Sequence, residues 1–485
     1  MAAGWGAAVL VLLAALARAG EIRHLILVIG DGLSWPAEVA ASRYLFGEDA
    51  SLSWHAFPYR APVATWDATA YDALAAARGA APFAEERFDP LLGYDPALGG
   101  AEPTLEDGSA LRTYFLTPRQ RGRPAATDSA SAATAMSTGL KTDDGNLAWR
   151  RGDPPDGRLI TIAELARASG RRIGIVTTVP FNHATPAGFV AHNRYRGDYR
   201  GQAGSLDREI LAEVQPEVVI GGGHPDWDPD YLSPELLAQL RADGLRGRYE
   251  FVERRAGQAA APALQAAAER ARSLGRSLCG IFGGEGGFFG FRRVAQAPGA
   301  PRTEPATPEN PTLAEAARAA LTVLAAEPRG FFLLVEQGDI DWACHANDYP
   351  ALIGAIADLE EAVRAIVAWI ERPGDAVAWD NTLLVVTSDH ANGYLRLHRR
   401  LGRGELPAVD GRGRPSDGSA SFATTHHTNE LVWLAARGAG WEALQRAEGS
   451  WYPGTRIIDN TQLFHAWCAA LGLEAPPAQR LAPRR

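Results

Sequence analysis

The chain has 485 residues, 46% of them hydrophobic, with 57 acidic and 48 basic residues and a formal net charge of −9. A chain of this length and composition can bury a large core, which excludes the disordered and fibrous classes of protein. Its acidic balance, without a long Lys/Arg block, also argues against nucleic-acid binding, so no nucleic-acid partner is expected.

The N-terminal segment has the pattern of an export signal. An apolar run from Ala7 to Leu16 leads to Ala17-Arg18-Ala19, a small-x-small sequence that suits signal peptidase. The run is too short to span about 30 Å of hydrocarbon, so no membrane anchor is expected. We therefore predict a signal peptide at residues 1–19, a periplasmic or secreted location, and a single domain over residues 20–485.

Apolar segments that are followed by polar residues alternate with helical patterns along the chain. The predicted buried strands lie within residues 22–29, 172–178, 331–336 and 382–390. The predicted helices cover residues 161–169, 312–326 and 349–371. This alternation predicts an α/β fold, a three-layer sandwich around a largely parallel central sheet, in which ligands bind at the carboxyl ends of the strands.

Three stretches interrupt the alternation. Residues 66–123, 222–308 and 398–423 are rich in Ala, Gly, Pro and charged residues. Because no linker divides the apolar pattern into two self-sufficient halves, we expect them to be insertions or surface loops on one scaffold.

The segment from Ala126 to Gly139 is rich in Ala, Ser and Thr and begins with Asp128-Ser129. Its small side chains predict a helix that packs deep in the domain. A helix N-terminus also favours anions, because unpaired N–H groups and the helix dipole point at the ligand. This segment alone leaves two interpretations open, a tightly packed helix and a nucleophilic serine.

Candidate metal ligands follow two of the predicted strands. Within Glu336 to His345, Asp341 and His345 are four residues apart and would share one face of a helix, a common arrangement for zinc. Asp389-His390 and His426-His427 could add further ligands. Taken singly, such residues are also typical of exposed helices, capped turns and solvated loops.

A further group of polar residues suits phosphate. His183 and Thr185 supply an imidazole and a hydroxyl, and Arg194 or Arg196 follows within reach. Arginine suits phosphate because its planar fork donates two parallel hydrogen bonds. Oxygen and nitrogen ligands without thiolates favour Zn²⁺ and Mg²⁺, and two such ions could support an in-line displacement.

These motifs together resemble the alkaline phosphatase family, from about Ile22 to Gly438. The motifs that carry the resemblance, in chain order, are Ile29-Gly30-Asp31-Gly32, Thr127-Asp128-Ser129-Ala130, His183-Ala184-Thr185-Pro186 with Ala191-His192 and Arg196, Glu336 to His345, Asp389-His390-Ala391, and His427-Thr428. Six separate motifs in one order make the resemblance specific.

The resemblance implies a catalytic role for each of these residues. Ser129 would be the nucleophile and form a phosphoserine intermediate, Arg196 would hold two phosphate oxygens, and Asp128 would orient Arg196. Two zinc ions would be held, one by Asp341, His345 and His427, the other by Asp31, Asp389 and His390. One magnesium ion would sit with Asp31, Thr185 and Glu336. The threonine that follows His427 favours it over His426 as the ligand.

Two positions near the third metal depart from the enterobacterial pattern. His183 and Trp342 stand where those enzymes have Asp and Lys, and animal enzymes have His at both. The pairing resembles a variant of some marine bacterial enzymes. Replacing the lysine removes a positive charge from beside the phosphate.

The resemblance implies a secreted or periplasmic phosphomonoesterase of broad specificity that acts on small phosphate monoesters, and a homodimer. One alternative is a phosphodiesterase or sulfatase of the same superfamily; the Cys-x-Pro-x-Arg sulfatase signature is missing from the sequence. Another alternative is a non-catalytic metal- or phosphate-binding protein of the cell envelope, which would have no need for a nucleophile.

Overall fold

A ten-stranded sheet forms the centre of the protein in the computed structural model, which describes residues 22–117 and 119–479. In chain order its strands are β1 (His24–Gly30), β2 (Tyr59–Ala64), β3 (Arg172–Pro180), β4 (Val218–Gly222), β5 (Tyr249–Glu253), β6 (Ser277–Ile281), β7 (Phe331–Gln337), β8 (Thr382–Thr387), β9 (Val432–Gly438) and β10 (Ile458–Asp459). The spatial order is β10-β2-β9-β8-β1-β7-β3-β4-β6-β5. Only β9 runs antiparallel to its neighbours.

Helices cover both faces of this sheet and complete the three layers. The longer ones are α1 (Trp35–Phe46), α2 (Ala68–Ala77), α3 (Ser109–Leu116), α4 (Ser129–Thr138), α5 (Ile162–Ala168), α6 (Ala184–Val190), α7 (Pro234–Gly247), α8 (Ala260–Leu274), α9 (Leu313–Leu324), α10 (Asp339–Ala346), α11 (Tyr349–Ile370) and α12 (Asn460–Leu471). Helices α1, α8, α9 and α11 belong to one hydrophobic core. Helices α4, α5, α6, α7 and α12 belong to the core on the opposite face.

Short elements complete the described chain. Single helical turns occur at Ser53–Ala56, Pro90–Gly93, Pro96–Gly99, Leu206–Arg208, Glu285–Gly287, Glu442–Gln445 and Pro477–Gln479, and a π-helical segment at Glu209–Val214. Small two-stranded ladders pair Arg119–Gln120 with Arg123–Pro124, Arg293–Ala295 with Arg302–Glu304, Ala391–Asn392 with His427–Thr428, and Leu395–Leu397 with Ala420–Phe422.

The predicted fold class is confirmed, and the predicted strands match β1, β3, β7 and β8 to within a few residues. These strands lie side by side at the centre of the sheet, where both faces are covered, which explains their continuously apolar sequences. A capping box opens helix α9: the Thr312 hydroxyl accepts a hydrogen bond from the backbone N–H of Glu315, and the Glu315 carboxylate accepts one from the backbone N–H of Thr312.

The segment 222–308, which we expected to be an insertion or surface loop, contributes β5 and β6 to the central sheet. Its strands are short, and β6 contains a serine and a glycine, while β5 alternates polar and apolar residues at the sheet edge. Neither pattern resembles a continuously buried strand, so the apolar periodicity does not reveal them. The division into one domain with three insertions stays a prediction.

The predicted signal peptide, residues 1–19, lies outside the described residues. Within residues 22–117 and 119–479, every helix falls short of the length or the apolar character that a membrane crossing requires.

Candidate active site

Polar side chains converge where three neighbouring strands end. Strands β8, β1 and β7 are adjacent and parallel, with Ile29 in register with both Thr387 and Glu336. Asp31 follows β1, Glu336 lies at the end of β7, and Asp389 comes two residues after β8. The carboxyl ends of parallel strands meet at one edge of a sheet, so these three carboxylates share one place.

The first candidate metal cluster consists of Asp31, Asp389 and His390. One ligand atom from each lies within 4.8 Å of the others, and all three residues are fully buried. Within the described part of the chain, neither carboxylate oxygen of Asp31 has a hydrogen-bond partner. Burial, together with the negative charges of Asp389 and Asp341, raises the pKa of Asp31 well above its usual value. A buried carboxylate without a hydrogen-bond partner is stable in its charged form only when a cation neutralises it.

The second candidate cluster consists of Asp341, His345, His390 and His427. His345 Nε2 lies 3.2 Å from Asp341 Oδ2 and 3.1 Å from His427 Nε2, and His427 Nε2 lies 3.4 Å from Asp341 Oδ1. His390 belongs to both clusters, because its ring stacks on that of His427 with centroids 3.6 Å apart. Asp341 and His345, the i, i+4 pair on α10, therefore both face the second candidate metal cluster, as predicted from their spacing.

Backbone carbonyls orient two of these imidazoles. His345 Nδ1 donates a hydrogen bond to the carbonyl of Thr425 at 2.7 Å, and His427 Nδ1 donates one to that of Thr127 at 2.8 Å. Because each Nδ1 donates to a carbonyl, each Nε2 is left facing Asp341. Burial alone would raise the pKa of Asp341, but the two imidazoles bring it well below its usual value. His426 lies outside the cluster, so the geometry favours His427.

Glu336 defines a third position beside the first cluster. Its carboxylate accepts a hydrogen bond from the Thr177 hydroxyl, and its Oε1 atom has no partner among the described residues. Burial raises its pKa to about 7, although hydrogen bonds from Thr177 and Thr185 act in the opposite direction. Sequence analysis did not identify Thr177 as a site residue. The signal that could have identified it is the Thr177-Thr178 pair near the end of the otherwise apolar strand β3.

Ser129 opens helix α4, directly after the N-cap residue Asp128, whose Oδ1 accepts a hydrogen bond from the Ser131 backbone N–H at 2.9 Å. Every residue of α4 is buried. The small side chains permit this depth, since a Cβ atom on Gly188 of α6 would come within 2.7 Å of the Ala133 side chain. The Ser129 Oγ atom lies 3.2 Å from His390 Nε2, at the residue that the two clusters share.

Arg196 lies beside the serine, held by three side chains. It donates to Asp128 Oδ2 at 3.0 Å and to His183 Nε2 at 3.3 Å, and the Tyr199 hydroxyl also forms a hydrogen bond with it. Burial opposes ionisation of Asp128, but Arg196 outweighs it and lowers the Asp128 pKa to about 2. Burial and then Arg196 lower the His183 pKa to about 3, so His183 is a neutral acceptor. Arg194 instead lies over the Trp149 ring at 5.1 Å.

Aromatic rings surround His183. Trp342 meets the His183 ring edge-on with centroids 5.8 Å apart, and Phe288 packs on Trp342 at 4.9 Å. Tyr199 stacks on the other side of His183 at 6.4 Å. The rings of Trp342, Phe288 and Tyr199 therefore line the region around His183, near the predicted third metal position. Phe288 was missed because it belongs to a segment that we expected to be a surface loop.

His192, part of the motif that carries the resemblance, is buried away from the clusters. Its Nδ1 lies 3.0 Å from Glu209 Oε1, and its Nε2 lies 2.9 Å from the Leu159 carbonyl and 3.3 Å from Glu164 Oε2. Burial favours the neutral ring, but the two carboxylates outweigh it and raise the His192 pKa to about 9. His192 is therefore a charged structural residue.

This buried ion pair predicts a loss of stability at alkaline pH. Because the folded pKa of His192 exceeds the unfolded value, its stabilisation is complete below about pH 6.5 and is lost as the pH rises through about 9. A shift of this size corresponds to at most about 3 kcal/mol, which the partial exposure of Glu164 reduces to about 2 kcal/mol. Urea unfolding at pH 6.5 and pH 9.5 measures the loss. His192→Gln should reduce the difference between the two pH values, and an unchanged difference would contradict the assignment.

The described fold and site define a class of protein: a three-layer α/β sandwich whose mostly parallel sheet carries, at its carboxyl edge, a buried serine beside clustered oxygen and nitrogen ligands. The family model of the alkaline phosphatases matches residues 109–403, more than half of the chain. The chain belongs to the alkaline phosphatase family and is a phosphatase. The predicted family is thereby confirmed, and the family is metal-dependent.

Individual relatives agree with this membership. The chain is 32% identical over 405 residues to a streptomycin-6-phosphate phosphatase of Streptomyces griseus, covering 76% of this chain and 83% of that one. It is 28% identical over 399 residues to an alkaline phosphatase of Escherichia coli, covering 75% and 78%. The Thermus thermophilus alkaline phosphatase structure has the same fold, with a TM-score of 0.60 at 21% identity, covering 94% of this chain and 92% of that one.

Proposed function

We propose that this chain hydrolyses phosphate monoesters of broad range through a phosphoserine formed on Ser129. The position of the Ser129 hydroxyl carries the proposal. It lies 3.2 Å from His390, where the two ligand clusters meet, and next to the Asp128 that holds Arg196. A non-catalytic binding protein has no use for a hydroxyl at this point.

The residues present fit divalent cations. Three of the clustered carboxylates keep unpartnered buried oxygens within the described chain: Asp31, Asp389 and Glu336. We propose that Asp341, His345 and His427 hold one Zn²⁺, that Asp31, Asp389 and His390 hold the other, and that Asp31, Thr185 and Glu336 hold Mg²⁺. The chemistry that such cations supply is neutralisation of the carboxylates and the phosphate, and a lowered pKa for a coordinated hydroxyl or water.

In phosphoryl transfer, Arg196 would bind the phosphate and Ser129 would attack it. Arg196 binds two phosphate oxygens, and its fork is held in orientation by Asp128 and His183. Ser129 Oγ attacks phosphorus as the ester P–O bond breaks, and the proton that Ser129 loses is balanced by the one that the departing alcohol gains. Water then cleaves the phosphoserine P–O bond, releasing inorganic phosphate and restoring the hydroxyl.

A phosphatase dedicated to one substrate is the second candidate, favoured by the similarity to a streptomycin-6-phosphate phosphatase. The test is a comparison of kcat/KM for p-nitrophenyl phosphate, bis(p-nitrophenyl) phosphate and p-nitrophenyl sulfate, followed by a panel of monoesters. We expect the monoester to exceed the other two by orders of magnitude. A faster diester would identify a phosphodiesterase, and activity on one panel member alone would identify a dedicated enzyme.

We further propose that the protein acts outside the cytoplasm, in the periplasm or after secretion, and as a homodimer. The leader pattern supports the location. The family membership supports the dimer by analogy. Cell fractionation and light scattering on purified protein test the two points separately.

A further inference from the structure

A short basic hairpin stands beside the site. Arg119–Gln120 pairs antiparallel with Arg123–Pro124, and the turn between them consists of Arg121 and Gly122, with φ values of 49° and 84°. Two successive positive φ values are typical of a tight two-residue hairpin turn. The hairpin ends only a few residues before Ser129, so it belongs to the segment that presents the nucleophile.

Two hydrogen bonds fix this hairpin. Gln120 Nε2 donates to Asp144 Oδ2 at 3.0 Å, which joins the hairpin to the loop after helix α4. The Arg119 guanidinium donates to the Gly122 carbonyl at 2.9 Å, which closes the turn on itself. The remaining guanidinium groups, those of Arg121 and Arg123, are therefore presented from an anchored element.

The hairpin and several of the proposed catalytic residues line the same small cleft, of about 40 Å³. Arg121 and Arg123 of the hairpin line this cleft together with Asp128, His345 and His427. A phosphate held at Ser129 and Arg196 would direct the rest of its ester into this cleft. The hairpin therefore faces the alcohol portion of the substrate.

The free charge in this cleft is positive. Arg121 and Arg123 are exposed, and among the described residues neither has a carboxylate partner. Of the two carboxylates in the same cleft, Asp128 is neutralised by Arg196, and Asp144, which accepts only from the neutral Gln120 amide, leaves one negative charge against the two guanidinium groups.

We propose that Arg121 and Arg123 form a subsite for a second anionic group, which makes the enzyme prefer phosphate monoesters whose alcohol portion carries a carboxylate or another phosphate. The inference rests on the proposed function. Guanidinium forks suit both groups, because each offers two oxygens to parallel N–H donors. Since the arginines are exposed, the preference weakens as salt screens the charges.

The test compares kcat/KM within pairs of substrates that differ in the second group. 3-Phosphoglycerate is paired with glycerol 3-phosphate for a carboxylate, and fructose 1,6-bisphosphate with fructose 6-phosphate for a second phosphate. We expect the wild-type enzyme to prefer the more anionic member of each pair. Arg121→Ala and Arg123→Ala should each reduce that preference about fivefold, mainly through KM, and 0.5 M salt should reduce it too.

Arg272→Ala is the matched control, because Arg272 is an exposed arginine on α8 that does not line the cleft. Arg272→Ala should leave the ratio of the two kcat/KM values within each substrate pair unchanged. Equal loss on both members of a pair in the hairpin variants, or no wild-type preference, would overturn the subsite. Loss of the preference for only one pair would show which anionic group the subsite takes. A wild-type enzyme inactive on p-nitrophenyl phosphate would instead refute the proposed function itself.

Discussion

Ser129→Ala should lower kcat for phosphate monoesters by at least about a thousandfold and abolish the covalent phosphoenzyme. The hydroxyl is the nucleophile in the proposed mechanism, and among the described residues it is the one hydroxyl that forms a hydrogen bond with His390 Nε2. Acid quenching after incubation with radiolabelled phosphate, followed by peptide mapping, measures the intermediate directly. Steady-state rates measure the loss of turnover.

The metal content of this variant should be retained. The proposed ligands Asp31, Asp389 and His390 are all present without the serine oxygen, so the variant isolates the nucleophile from the metal site. Ser137→Ala is a suitable control on the same helix, because Ser137 is also buried and donates to the Gly188 carbonyl at 2.6 Å, away from the clusters. Labelled phosphate trapped on the Ser129→Ala protein at low pH would place the nucleophile elsewhere.

Removal of the metals should abolish activity and also lower the melting temperature. Four carboxylates are buried within one small region: Asp31, Glu336, Asp341 and Asp389. Buried like charges without cations are costly, so the metal-free protein must either take up protons or open the site. For each metal present at about a thousand times its dissociation constant, the lost stabilisation is about 4 kcal/mol, which for a chain of this length corresponds to a fall in Tm of about 4 °C.

The experiment is dialysis against a chelator, with activity, Tm and metal content measured on the same sample. Adding back Zn²⁺ and Mg²⁺ together should restore both activity and Tm, and the same chelator already saturated with Zn²⁺ serves as the control. Full activity in protein that contains less than one equivalent of any divalent metal would refute the proposed metal centre. Separate addition of each ion identifies which one the Glu336 position requires.

The anionic subsite and the substrate range can be considered together. A broad phosphatase is compatible with a preference for anionic alcohols, because Arg121 and Arg123 act on the part of the substrate that leaves and do not contact the phosphate held by Arg196. A cationic alcohol would be disfavoured in the same cleft. The streptomycin-6-phosphate phosphatase is therefore a relative in fold and family, and its named substrate does not transfer to this chain by similarity alone.

The sequence by itself determined the central part of this protein. Strands β1, β3, β7 and β8 are buried on both faces, so each is a continuous apolar run that can be recognised without neighbours. Residues directly after such strands must lie at the carboxyl edge of a parallel sheet. For this reason Asp31, Asp389 and the pair on α10 could be placed in one region before any distance was known.

The tertiary structure decided what depends on contacts between distant segments. The motif already favoured His427 over His426, and only the structure shows what orients its ring: the Thr127 carbonyl, 300 residues away. The resemblance already selected Arg196, and the structure shows that it is Arg196, not Arg194, that pairs with Asp128, the residue before the serine. The hairpin around Arg121 and the short strands of 222–308 lack the continuous apolar run that marks β1, β3, β7 and β8. Such positions are set by long-range pairing, which local sequence patterns do not encode.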